Sequence, residues 1–267
     1  MLKKIVQAMK DIRSLPWRMD EAKRDFERLQ QIEMVSHLSP IDRHVVLHAH
    51  FRKDALFDIS YPEWRTKRID TLIRLYGLDW FKGKKVLELG AGLCEIGAFF
   101  AELGADVTCL EGRQETVDMA RLKHRKVPNL RIEQFDLEQD FSHYGQFDLI
   151  LHLGLLYHLG NVDEHLAICF GMTDEIVMET VVCDSLDPQK IVYFEGRKDV
   201  IEESIHGAAC RPSPFYVERL AGEAGFEMER LFTADLNSGH FIYDWAHKDD
   251  GSLGDFDLRR AWRFRRA

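Results

Sequence analysis

Residues 86–97 read VLELGAGLCEIG. Val86, Leu87 and Leu89 have the apolar character of a buried strand, and Gly90, Ala91 and Gly92 that of a tight turn. From Cys94 onward a helix can begin. A strand, a glycine turn and a helix N-terminus together make a cradle for a nucleotide-containing cofactor. Outward from this stretch, strand-like and helix-like segments alternate. KKVLELG, ADVTCLE, NLRIEQFD, QFDLILHLG and DEIVMETVV read as strands. CEIGAFFAELG, QETVDMARLKHRK and NVDEHLAICFGM read as helices between them. Such alternation predicts an α/β fold with a doubly wound, Rossmann-like sheet that is mostly parallel. Further on, SPFYVERLAGEAG reads as a helix. FEMERLFTADL and HFIYDWAHK then read as an antiparallel C-terminal strand pair, which such a sheet tolerates.

Residues before 80 carry helical periodicity, with Trp64, Ile69, Leu72, Ile73 and Leu75 largely on one face and Gly77 as a stop. The expected organisation is an N-terminal helical extension over 1–79, serving as a lid or a homodimer contact. A cofactor-binding domain over 80–248 and a basic tail over 249–267 follow.

Composition narrows the function classes. The chain has 267 residues, 45% of them hydrophobic and 30% charged, which fits a well-buried globular core. Its formal net charge is −9, which disfavours a broad nucleic-acid surface, although RRAWRFRRA (259–267) is a local basic patch. The five cysteines, Cys94, Cys109, Cys169, Cys183 and Cys210, contain no C-x-x-C pair and read as reduced and buried. No apolar run reaches the roughly 18 residues of a membrane span, and no signal peptide is evident. A cytoplasmic protein without a membrane span is expected.

Two cofactors compete for the glycine turn. A dinucleotide fingerprint needs a third glycine three residues after Gly92, where this chain has Glu95. A carboxylate there, with Glu88 two residues before Gly90, fits pyrophosphate poorly. S-adenosylmethionine (SAM) has no phosphate, and its ammonium and sulfonium suit acidic neighbours. Backbone N–H groups of the turn can hold its carboxylate. Glu111, at the end of the next strand, stands where an acidic side chain meets ribose hydroxyls. Leu153 and Gly154, closing the fourth strand, can lie against the cofactor through their backbone.

The ordered set VLELGAGLCEIG, VTCLEGR, FDLE and FDLILHLGLLYHL resembles class I SAM-dependent methyltransferases over about residues 80–245. The resemblance implies SAM as cofactor, with contacts from Glu88, Gly90, Ala91, Gly92, Glu111, Gly112, Asp136, Leu137 and Leu153. In this reading Asp136 faces the adenine amino group, and Leu137 or Phe135 packs the ring. One departure is Cys94, where many relatives have glycine.

Methyl transfer is an in-line displacement at an already activated carbon, so alignment and exclusion of water dominate. A hydroxyl nucleophile also profits from a base. His158, beside Tyr157 after the fourth strand, is the first candidate, and His206 and His240 are secondary. His152 reads as structural. Arg211, Ser213 and Tyr216, at the start of a helix, are candidate substrate contacts; Ser213 with Pro214 also makes a helix cap. Glu179 and Asp184 are too few for a metal site, and none is expected. GLLYH is also similar to a segment of enzymes that carboxymethylate the tRNA wobble uridine with a carboxylated relative of SAM. That extra carboxylate needs an arginine, and Tyr157 is flanked by Leu156 and His158, so ordinary methyl transfer is expected. The acceptor expected is a small-molecule or saccharide-linked polar group, phosphorylated acceptors included, methylated on oxygen. The alternatives are a tRNA-modifying enzyme and a non-catalytic partner subunit that keeps the fold.

Overall fold

A computed structural model describes residues 61–196, 204–231, 236–237, 243 and 258–267. The described helices are α1 (Tyr61–Tyr76), α2 (Glu95–Glu102), α3 (Gln114–Lys123), α4 (Val162–Met172) and α5 (Pro214–Glu223). The strands are β1 (Lys85–Leu89), β2 (Asp106–Glu111), β3 (Leu130–Gln134), β4 (Leu149–Leu153), β5 (Glu175–Val181), β6 (Ile191–Glu195), β7 (Ala208–Pro212), β8 (Phe226–Arg230) and β9 (Arg259–Arg266).

Seven strands form one sheet in the order β3-β2-β1-β4-β5-β9-β8. The first five are parallel, as the alternating pattern predicts. The central strands β1 and β4 carry near-continuous apolar runs because helices cover both faces of the sheet. One core packs Trp64, Ile69 and Leu72 of α1 with Phe81 and Phe100; the other packs α4 and α5 with Trp262 and Phe264. Strand order reverses between β1 and β4, and the crevice at their carboxyl ends is the ligand position of such sheets.

The antiparallel pair is present, but its second strand is not HFIYDWAHK. β9 pairs antiparallel with both β5 and β8. The expected basic tail is therefore a strand inside the sheet, and the domain extends past residue 248 to Arg266. Apart from Tyr243, the segment HFIYDWAHK lies outside the described residues. So does the expected N-terminal extension before Tyr61, with its lid or dimer role. A second, two-stranded sheet of β6 and β7 was not anticipated. It lies against the short 3₁₀ turn Leu156–His158 at the carboxyl end of β4.

Candidate active site

The turn after β1 depends on three left-handed residues: Gly90 (φ +63°), Gly92 (φ +53°) and Cys94 (φ +55°). A side chain on Gly90 would meet Leu155 at 3.0 Å. Cys94 takes the left-handed conformation without being glycine, at a cost of about 1–2 kcal/mol. Its Sγ lies 3.6 Å from the Gly92 carbonyl. The packing glycine is Gly97, where a Cβ would stand 2.6 Å from Cys109 Sγ and 2.7 Å from Glu88 Oε2. The close helix–strand approach is thus made two residues beyond Glu95.

The acidic neighbours of the turn divide into two kinds. Glu95 is buried between Lys123 and Arg65, so its charge is neutralised beneath α2. Contrary to the expectation from sequence, it does not present a carboxylate to a cofactor. Glu88 is also buried and accepts from Gly97 N at 2.8 Å and Cys109 Sγ at 3.3 Å. Burial pushes its pKa up to about 7 against the opposing effect of those bonds.

Glu111 ends β2 at the lip of the crevice. Its Oε2 accepts from Gly92 N at 2.9 Å and its Oε1 from Arg113 N at 3.0 Å. The four acceptor positions of the carboxylate leave capacity for a ribose hydroxyl beyond these bonds. Gly90 N and Ala91 N both donate to the Leu110 carbonyl, at 2.9 and 3.2 Å. With Gly92 N on Glu111, these three N–H groups serve the turn itself.

Asp136 follows β3 and accepts from Glu138 N at 3.1 Å. It also meets His206 Nε2 at 2.9 Å. Ile205 comes within 3.2 Å of where a Gly112 side chain would stand. The turn before β7 therefore covers the edge formed by Gly112 and Asp136, a contact without a local signature in sequence. Leu137 is buried in the second core.

Beyond β4 the character of the site changes. Gly154 (φ +81°) leaves room for the Arg68 guanidinium, which a Cβ would meet at 2.8 Å. Arg68 from α1 and Arg259 from β9 clasp Glu179 in the carboxyl half of β5, Arg259 Nη1 lying 2.7 Å from Oε1. Burial opposes ionisation of Glu179, but the two guanidinium groups hold it below the usual carboxylate range. The two guanidinium groups already supply the positive charge that this carboxylate can balance. Arg259 Nη2 also donates to Tyr157 Oη at 3.1 Å. An arginine thus stands beside Tyr157 after all, brought by the fold from 102 positions away, and the sequence ground for expecting ordinary methyl transfer is removed. His158 is next along, its ring 4.0 Å from that of Tyr157.

The remaining candidates sit apart from this network. His152 pairs with His165, Nε2 to Nε2 at 2.9 Å, and burial lowers both pKa values, that of His165 to about 4. Ser213 caps α5, accepting from Tyr216 N at 3.0 Å and donating to the Asp187 carbonyl at 2.6 Å. Tyr216 donates to Asp163 at 2.5 Å. Both hydroxyls serve the fold. Arg211 lies over the Phe194 ring at 5.2 Å, on the β6–β7 sheet. His240 lies outside the described residues.

Residues 87–174 match a family described as a methyltransferase domain. No curated protein matches the chain. Among solved structures, the N-terminal domain of EvdMO1 with SAH bound is similar at TM-score 0.59 and 18% identity, covering 82% of this chain and 84% of that one. The magnesium protoporphyrin IX methyltransferase ChlM from Synechocystis PCC 6803 with bound SAH is similar at TM-score 0.52 and 13% identity, covering 84% of this chain and 100% of that one.

Proposed function

We propose that this chain, which carries a class I SAM-dependent methyltransferase domain, methylates an oxygen of a small or saccharide-linked polar acceptor. The observation that carries this reading is the placement of Tyr157 and His158. Both stand on the turn at the carboxyl end of β4, where strand order reverses. Glu111 and Asp136 stand at the ends of β2 and β3, on the other side of that reversal. In this reading Glu111 holds the ribose, Asp136 the adenine, and the turn from Gly90 to Gly92 lies under the methionine part. His158 removes the acceptor proton as the methyl moves from sulfur to oxygen.

D-fucose was present with SAH in a structure of the EvdMO1 domain, 20% identical to this chain, so a sugar hydroxyl is the first acceptor to try. An RNA acceptor is less well supported, because three of the five arginines of β9 face carboxylates of the protein itself. Arg259 faces Glu179, Arg263 faces Glu175 and Arg266 faces Asp174. Calorimetry should show SAM binding and no NADH binding. His158→Ala should lower turnover by roughly 10²–10⁴-fold while leaving SAM affinity nearly unchanged. Unchanged turnover would remove His158 from the mechanism, and salt-dependent tRNA binding would favour the RNA reading.

A further inference from the structure

Tyr157 and Arg259 meet at the carboxyl edge of β4, three residues past Gly154. A guanidinium has five donors and no acceptor, so the direction of their hydrogen bond is fixed. Tyr157 Oη accepts from Arg259 Nη2, and the phenol must turn its own proton elsewhere. Arg259 cannot swing away, because its other amino group is held on Glu179, which Arg68 holds in turn. The Arg68 guanidinium stacks over Trp64 at 3.3 Å and that of Arg259 lies over the same ring at 4.6 Å. Four separate parts of the chain, α1, the turn after β4, β5 and β9, thus converge on one phenol.

Arg259, Arg68 and Glu179 are buried, whereas Tyr157 is only partly covered. What this network offers the crevice is a hydroxyl donor of fixed polarity with a buried positive charge directly behind it. A neutral hydroxyl placed there would gain one ordinary hydrogen bond. A carboxylate would gain a charge-assisted bond, about twice as strong, together with attraction to the guanidinium.

We infer that Tyr157 and Arg259 form a carboxylate-recognising pair and that the methyl acceptor is a hydroxy acid. Its carboxylate docks on Tyr157 while its reacting hydroxyl faces His158. This rests on the reading of the turn after β4 as the acceptor side. Tyr157 makes the contact, and Arg259 positions and polarises it.

The test uses the full chain saturated with SAH and matched pairs of probes. D-glucuronate is compared with D-glucose, and 3-hydroxybenzoate with 3-hydroxybenzyl alcohol, by calorimetry. The carboxylate of at least one pair should bind at least about tenfold more tightly than its neutral partner. Tyr157→Phe removes one oxygen atom and keeps the packing. It should reduce that preference below about threefold while SAH affinity stays within about twofold. A wild-type preference below about threefold in both pairs, including no detectable binding of any probe, overturns the inference. So does a Tyr157→Phe protein that keeps the full preference. If the pair instead reads a carboxylate on the methyl donor, acidic and neutral acceptors bind alike, and the assignment to the acceptor falls. Failure of SAH itself to bind would count against the methyltransferase reading and not against this pair.

Discussion

On the β1–β3 side of the crevice, the residues proposed to hold the cofactor come from strand ends close together in sequence: Gly90 to Gly92, Glu111 and Asp136. On the β4–β9 side the network residues come from α1, β5, β9 and the turn at Tyr157, so Arg68 and Arg259 meet across most of the described chain. The first side works largely through backbone geometry and carboxylates. The second is a side-chain network built around two arginines. A cofactor used by many enzymes can be held by a local motif, whereas an acceptor surface can be assembled from whatever remote segments the fold brings together.

The largest effect that would break this comparison lies in the arginine network. Glu179→Ala leaves Arg68 and Arg259 buried together without their shared carboxylate, and should cost about 3–5 kcal/mol of stability. Denaturant unfolding measures it, and a loss below about 1 kcal/mol would mean the second side does not depend on that clasp.

A slightly smaller effect sharpens the picture of the first side. Glu88 has a folded pKa raised to about 7 from an ordinary value of 4.5. A raised pKa means the group favours folding in its protonated form. That contribution is fully present below about pH 4.5 and is lost as pH rises through 7, a change of about 3 kcal/mol. Glu88→Gln cannot ionise, so its stability profile should lack this fall, and the variant should gain on the wild type between pH 5 and pH 8. Parallel profiles for the two proteins would show that Glu88 is ionised in the fold throughout.

The smallest effect concerns ligand binding alone. Glu111→Ala should weaken SAM binding about tenfold, roughly 1.4 kcal/mol, read by calorimetry. An unchanged affinity would take the ribose contact away from β2.

The same division explains what was legible in sequence. The parallel strands and their helices follow from local periodicity, which needs no knowledge of distant partners. Gly90, Gly92 and Glu111 fall at strand ends and were legible from position, whereas Asp136 was singled out by the family resemblance. Glu95 misled because its partners, Lys123 and Arg65, come from α3 and α1, and a charge looks the same in sequence whether neutralised or not. β9 was hidden by its arginines, which lower the hydropathy of RRAWRFRR until it resembles a solvated tail. Its one local signal is Trp262 and Phe264, two apolar rings at strand spacing that stack with centroids 6.1 Å apart on the buried face. The arginine beside Tyr157 could not be seen without placing that strand.

The position of β9 also has a consequence for how the protein is made. Among the described strands it is the last to be synthesised, yet it belongs between β5 and β8. Until residues 259–266 leave the ribosome, both neighbours wait with open edges that can pair with other chains. The same late strand delivers Arg259 to Tyr157. Closing the sheet and completing the Tyr157–Arg259–Glu179 network are then one event, so a nascent chain with an open edge is also one without that network.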